Sequence, residues 1–111
     1  MRIVNVTRDA CLATNAARAT TIWSRGLGLM GRRHLPIGYG LVIDPCRGIH
    51  TFFMRLAIDV CYVDRSDVVV HVARGVKPWR VGPVSWRGAY VIELPAGAAE
   101  GTGAGDSLAF E

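Results

Sequence analysis

Short apolar runs, each ended by glycine, proline or a polar turn, most strongly constrain how this chain can fold. Half of its 111 residues are apolar, and thirteen glycines and five prolines interrupt them repeatedly. The runs are rich in β-branched residues, as in residues 41–43, 68–74 and 89–94. Such a pattern favours strands joined by turns over long helices. It predicts a mainly β fold, a compact β-sandwich or small barrel of about eight short strands with one or two short helices.

The limits of each predicted element follow from where the runs begin and end. Strands are expected at residues 2–7, 11–14, 41–43, 49–54, 56–63, 68–74, 79–81, 89–94 and 106–110. Residues 49–54 and 56–63 form either two consecutive strands or one bent strand. The polar tetrad at residues 64–67 separates two β-branched runs, which is typical of a hairpin.

One short helix is predicted at residues 22–30. Trp23, Leu27 and Met30 recur there at the spacing of a single helix face. The preceding threonines offer an N-cap, and the glycine after Met30 is placed to end the helix. A further helical turn is expected at residues 97–101, within a tail that is rich in small residues.

The length of the chain indicates a single domain that spans residues 1–111. The first residues carry charge throughout and contain no uninterrupted apolar segment of the kind that directs secretion. No apolar run approaches the roughly 20 residues that span a bilayer. Three cysteines are an odd number, which does not suit a disulfide framework. These features predict a soluble cytoplasmic protein without a membrane span.

The basic balance of the chain raises the possibility of a nucleic-acid or membrane-surface partner. The formal net charge is +4 at pH 7. However, lysine occurs once, at Lys77, and the arginines are scattered, with Arg32–Arg33 as the one adjacent pair. A nucleic-acid footprint gathers its charges on one face or element. We therefore expect that nucleic acid is not a partner.

Residues 39–64 combine the densest apolar run with most of the side chains that could do chemistry. In an extended strand alternate residues share a face, so Thr51, Arg55 and Asp59 would point one way and His50 the other. The prediction is a polar cleft around residues 44–59, lined by Asp44, Cys46, His50, Thr51, Arg55, Asp59 and Trp79. The alternative is that each charged residue forms a structural hydrogen bond to a loop or turn.

Cys46 and His50 allow two sharper interpretations. Their C-x3-H spacing suits metal ligands, but a closed structural site needs four ligands and no second pair accompanies them. They could also act as a nucleophile and base, with Asp44 or Asp59 as orienter. No nucleophile elbow or phosphate-binding glycine pattern supports this. We therefore predict no metal and no cofactor, and keep as the alternative function a hydrolase or transferase that uses His50 or Asp59 as base.

The aromatic residues allow a ligand platform as well. Trp79 lies between basic residues in a loop bounded by glycine and proline, and Trp86 follows it closely. With Tyr39, Phe53 and Tyr90 they could hold a sugar or a peptide. The simpler interpretation is core and edge packing, together with a cation–π contact.

Several ordered blocks resemble the domain-of-unknown-function family 192 (DUF192). Residues 25–32, RGLGLMGR, match its R-x-x-G-L-M-x-R signature, and residues 46–55, CRGIHTFFMR, match its C-x-x-I-H-T-F-F-M-R core. The segments IDV, KPWR, ELPAG and GD follow in the expected order, at residues 58–60, 77–80, 93–97 and 105–106. The resemblance covers about residues 12–110. It implies a compact, mostly β fold and no agreed activity.

Two departures from the family pattern concern local structure. Ala57 stands where the family usually has a proline, and the segment between Gly97 and Gly105 is shorter than usual. The second departure puts the family's usual short helix there in doubt. Taken together, the residues and the resemblance predict an uncharacterised small binding or accessory domain. Its cleft around residues 44–59 would take an unidentified ligand or protein partner.

Overall fold

The computed structural model describes residues 1–19, 34–51 and 54–111, which form eight strands in two sheets. The strands are β1 (Ile3–Asn5), β2 (Ala10–Ala13), β3 (Asn15–Ala19), β4 (Tyr39–Ile43), β5 (Ile58–Val63), β6 (Val69–Val76), β7 (Tyr90–Pro95) and β8 (Leu108–Phe110). The prediction of a mainly β fold is thus confirmed. The helix predicted at residues 22–30 lies outside the described residues.

The larger sheet has the order β3-β4-β7-β5-β6, and the smaller has the order β2-β1-β8. β3 and β4 are parallel, and the other neighbours are antiparallel. β7 therefore lies in the middle of the larger sheet, between β4 and β5. Because β4 and β5 both run antiparallel to β7, their carboxyl ends lie at the same edge as the beginning of β7.

Two apolar cores cover the two faces of the larger sheet. On one face Ile92 and Leu94 of β7 pack in a cluster with Ile3 of β1 and Leu108 of β8, so the smaller sheet covers this side. On the other face Leu41, Ile58, Val60 and Val91 cluster with Met54 from the segment that precedes β5. Burial on both faces explains why β5 and β7 read as nearly continuous apolar runs.

The segment before β5 differs from the prediction. Residues 49–54 were expected to be a strand, but among the described residues of this segment His50 alone forms an isolated bridge, to Val81. Thr51 instead donates its N–H to the carbonyl of Arg80, and Gly82 donates to the carbonyl of Ile49. Ile49 and Thr51 thus form these hydrogen bonds with a loop. The predicted strand at residues 79–81 is reduced to the same bridge.

The helical turn expected at residues 97–101 is also wrong. This stretch forms consecutive turns, and the described residues contain no helix. Gly97 and Gly101 have φ values of 92° and 82°, which an α-helix excludes. Accordingly, no helix in the described part of the chain is long and apolar enough to cross a membrane.

Candidate functional site

Asp59 is a buried carboxylate that connects β6 to the turn that follows β7. Its side chain is on β5 and the residue is 2% exposed. One oxygen, Oδ1, accepts the N–H of Gly75 at 2.9 Å, and Oδ2 accepts those of Gly97 and Ala99 at 3.0 Å each. Both oxygens are therefore occupied by backbone donors. This geometry matches the structural interpretation of Asp59.

Thr51 fastens the loop that contains Trp79. The residue is fully buried, and its hydroxyl oxygen accepts the N–H of Arg80 at 2.8 Å while the hydroxyl donates to the carbonyl of Lys77 at 2.6 Å. The carbonyl of Thr51 accepts the N–H of Trp79 at 2.9 Å. Trp79 has a φ of 62°, so the chain turns sharply here. Thr51 and Trp79 are thus brought together through the backbone.

The other predicted site residues are dispersed. The carboxylate of Asp44 forms an ion pair with the guanidinium of Arg65, with N–O distances of 3.1 and 3.3 Å. Arg65 follows the carboxyl end of β5, whereas Asp59 lies near its beginning, and a strand rises about 3.3 Å per residue. Asp44 and Asp59 therefore lie at opposite ends of β5. His50 and Arg55 are exposed.

The cysteines differ in their surroundings. The thiol of Cys46 donates to the carbonyl of Gly48 at 2.9 Å. Burial, and then the charge of Asp59, raises the pKa of Cys61 to about 12. Cys11 is exposed. Across the described ranges, no group of three or more histidine, cysteine, aspartate or glutamate side chains is arranged to hold a metal ion.

These environments predict selective alkylation of the thiols. Because the thiolate is the reactive form, native protein treated with iodoacetamide at pH 8 should be modified at Cys11 and spared at Cys61. Peptide mass spectrometry measures both sites, and denaturation in urea should expose Cys61. Modification of Cys61 in the native protein at the rate of Cys11 would show that β5 opens readily.

Three turns at one edge of the larger sheet enclose an open cleft of about 760 Å³. They follow β4, join β5 to β6, and precede β7, and the topology places all three at the same edge. The lining residues are Pro45, Cys46, Arg47, Asp64, Arg65, Ser66, Trp86, Arg87, Gly88 and Ala89. Three of them are arginines and one is an acid, so the lining is predominantly basic.

Backbone hydrogen bonds hold these turns together. The N–H of Cys46 donates to the carbonyl of Ala89 at 3.0 Å, and that of Ser85 donates to the carbonyl of Arg47 at 2.8 Å. Oδ1 of Asp64 accepts the N–H groups of Ser66 and Val68, which orders the turn between β5 and β6. The cleft is therefore built on fixed backbone.

A second cleft of about 380 Å³ is lined by both residues of the Asp44–Arg65 ion pair. The guanidinium of Arg18 stands 5.4 Å from the ring centroid of Phe110 there. Tyr90 donates its hydroxyl to Oδ1 of Asp67 at 2.7 Å. Burial, followed by this hydrogen bond, raises the pKa of Tyr90 well above its usual value. The charges of this second cleft are thus largely paired within the protein.

The predicted site residues did not include the three arginines of the larger cleft, and Trp86 was considered for an aromatic platform with Trp79 and not for this cleft. Arg47, Arg65 and Arg87 lie in separate turns, far apart in the chain. Their common signal is a position in the turn beside a predicted strand. That signal becomes informative once the strand order is known, because the order decides which turns share an edge.

Glu93 is a further residue that sequence reasoning did not single out. It lies in the middle of β7, opposite Leu41 on β4 and Val60 on β5, and is 5% exposed. Both neighbours belong to the second apolar core. Burial raises the pKa of Glu93 to about 7. A charged residue inside the apolar run AYVIELP was the available signal, since both faces of a central strand are covered.

Comparison with known proteins agrees with this architecture. The family model of DUF192, described as Uncharacterized ACR, matches residues 3–110. A UPF0127 protein of Pyrococcus horikoshii is 36% identical over 104 residues, which cover 88% of this chain and 87% of that protein.

Two solved structures share the fold. A protein of unknown function from Novosphingobium aromaticivorans superposes with a TM-score of 0.82 at 19% identity, covering 98% of this chain and 82% of that one. A Sinorhizobium meliloti protein, described as a candidate transcription regulator, gives 0.78 at 22% identity, covering 97% and 89%. At these identities the likeness concerns the fold alone. The sequence match, by contrast, extends over nearly the whole chain, and the protein belongs to the uncharacterised DUF192 family.

Proposed function

We propose that this protein is a binding domain for a small anionic ligand, held in the cleft between residues 45–47, 64–66 and 86–89. The observation that carries the proposal is the convergence of three arginines and one exposed tryptophan on a single cleft. The volume of about 760 Å³ falls within the range of small-molecule sites, roughly 300–1,000 Å³.

The arginines differ in how far they are already engaged. Nε of Arg47 donates to the carbonyl of Gly88 at 3.1 Å, which fixes the plane of its guanidinium. Arg65 is paired with Asp44, whereas the guanidinium of Arg87 has no partner among the described residues. Arg47 and Arg87 therefore supply the unneutralised charge of the cleft. Arg65 also lines the cleft, but its charge is paired with that of Asp44.

The side chains indicate the chemical class of the ligand. A guanidinium binds carboxylate or phosphate through two parallel N–H donors. Trp86 is 79% exposed and offers an apolar face beside these donors. A molecule that joins a phosphate or carboxylate to an aromatic or apolar group fits both features.

The enzyme alternative has less support from the geometry. Asp59 would have to release a backbone N–H to act as a base, since both of its oxygens accept such bonds. His50 is exposed and lies on the segment bridged to Val81, and it does not line the arginine cleft. Binding by the arginines requires no rearrangement of either residue.

Phenyl phosphate is a suitable probe of this proposal. We expect it to bind the wild-type protein more tightly than inorganic phosphate does, because the phenyl ring contacts Trp86. Arg47→Ala and Arg87→Ala should each weaken binding about tenfold, as expected for loss of a charge-assisted hydrogen bond. Isothermal titration calorimetry measures both effects.

Arg2→Ala is the matched control for these substitutions. Arg2 forms an exposed ion pair with Glu111 at 3.1 Å and does not line the cleft. This variant should bind phenyl phosphate as the wild type does. Equal loss of affinity in Arg2→Ala and Arg47→Ala would mean that net charge, and not the cleft, attracts the anion. That result would overturn the proposal.

A further inference from the structure

A row of large apolar side chains is exposed next to the cleft. Among the described residues, six large hydrophobic side chains are exposed, and four of them lie between residues 79 and 86. These four, the apolar strip, are Trp79, Val81, Val84 and Trp86, with exposed fractions of 56%, 71%, 53% and 79%. Exposed apolar groups gathered in this way mark interaction surfaces.

The loop that carries the apolar strip is fastened to the body of the protein through its backbone. Gly82 donates its N–H to the carbonyl of Ile49 at 2.9 Å, and Tyr62 donates its hydroxyl to the carbonyl of Pro83 at 2.7 Å. The loop approaches so closely that a Cβ on Gly82 would lie 2.7 Å from a carbon of Ile49. These contacts hold residues 82 and 83 against the body of the protein, while the four side chains of the strip are exposed to solvent.

The charge around the strip is mainly basic. Residues 77–87 contain Lys77, Arg80 and Arg87, all of them exposed, and no aspartate or glutamate. Asp64 is the one acid that lines the cleft together with Trp86. A partner that covers the apolar strip must therefore present negative charge around an apolar interior. Two copies of this protein joined strip to strip would instead bring like charges together.

We propose that the apolar strip docks on the surface of an anionic lipid bilayer. The two indoles would occupy the interfacial region, the valines would reach the acyl boundary, and the surrounding lysine and arginines would meet lipid phosphates. The two exposed valines distinguish this partner from nucleic acid, because isopropyl groups add nothing to base stacking but gain from transfer into hydrocarbon. The strip shares Trp86 with the arginine cleft, but Val81 and Val84 do not line that cleft, so substitutions at the two valines test the strip separately.

Vesicle co-sedimentation tests the proposal with the full chain. The wild-type protein should sediment with phosphatidylglycerol vesicles, should bind phosphatidylcholine vesicles much less, and should be released by added salt. The double variant Val81→Asp/Val84→Asp should partition into the lipid pellet about tenfold less, since it loses apolar contact and adds repulsion. Circular dichroism melting would establish that this variant remains folded.

Val6→Asp is the matched control, because Val6 is 57% exposed and lies outside the apolar strip. It should bind phosphatidylglycerol vesicles as the wild type does. Equal binding of the wild type to both vesicle types would overturn the proposal. So would an equal loss of vesicle binding in the control and in the double variant. The proposal would also fail if the wild type bound a single-stranded oligonucleotide and no vesicles, and the double variant lost that oligonucleotide binding.

Discussion

Asp59→Ala is expected to lower the free energy of unfolding by about 3–5 kcal/mol. The substitution removes the acceptor of three backbone N–H groups, those of Gly75, Gly97 and Ala99. A buried donor that loses its acceptor costs about 1–3 kcal/mol, and water entering the space would recover part of the sum. Urea unfolding followed by circular dichroism measures the change.

Asp44→Ala is the appropriate comparison for Asp59→Ala. Asp44 forms its ion pair with an Arg65 side chain that is 66% exposed, and such pairs contribute about 0–1 kcal/mol. The two aspartates should therefore differ clearly in their effect on stability, although the sequence presents them as equivalent members of one cleft. If Asp59→Ala changed stability no more than Asp44→Ala does, the turns around Asp59 would not depend on its carboxylate.

Glu93 is expected to lower the free energy of unfolding as the pH rises. Burial raises the pKa of its carboxyl from 4.5 to about 7. Below pH 4.5 the carboxyl is neutral in both the folded and the unfolded chain, so it does not lower the free energy of unfolding there. Between pH 4.5 and 7 the unfolded chain ionises while the folded protein keeps the proton. Stability therefore falls by about 1.4 kcal/mol per pH unit, or about 3 kcal/mol across the window, and changes no further above it.

Glu93→Gln isolates this contribution. The variant lacks the titrating group, whereas the other ionisable groups are present in both proteins and largely cancel in the difference. The stability of the variant relative to the wild type should thus rise by about 3 kcal/mol from pH 4.5 to pH 7. Urea denaturation curves at several pH values provide the measurement. A difference that stays constant with pH would show that Glu93 is ionised within the fold.

The strands that the sequence predicts well are those that contain a run of β-branched residues. The predicted runs at residues 68–74 and 89–94 correspond to β6 (Val69–Val76) and β7 (Tyr90–Pro95). β3 was not predicted, because Asn15–Ala19 consists mainly of alanine and has no β-branched residue. Its pairing with β4 supplies the strand conformation, and such a tertiary contact leaves no local signal.

The candidate site was harder to predict for a related reason. The prediction that Thr51, Arg55 and Asp59 share one face required an extended strand. Thr51 instead forms hydrogen bonds with the loop at residues 77–80. Residues 45–47 line the arginine cleft, and Cys46 is the one predicted site residue among its lining residues. Arg65 and Arg87 join them because β4, β7 and β5 are adjacent in the sheet, which is a property of topology and not of local sequence.

Amide chemical-shift mapping tests the binding cleft most directly. We expect titration of the ¹⁵N-labelled protein with phenyl phosphate to move the signals of residues 45–47, 64–66 and 86–89 the most. The side-chain Nε–H of Arg47 should shift with them, since its guanidinium lines the cleft. Largest shifts around Asp59 and the turn at residues 97–99, or shifts spread evenly over the basic surface, would contradict the account.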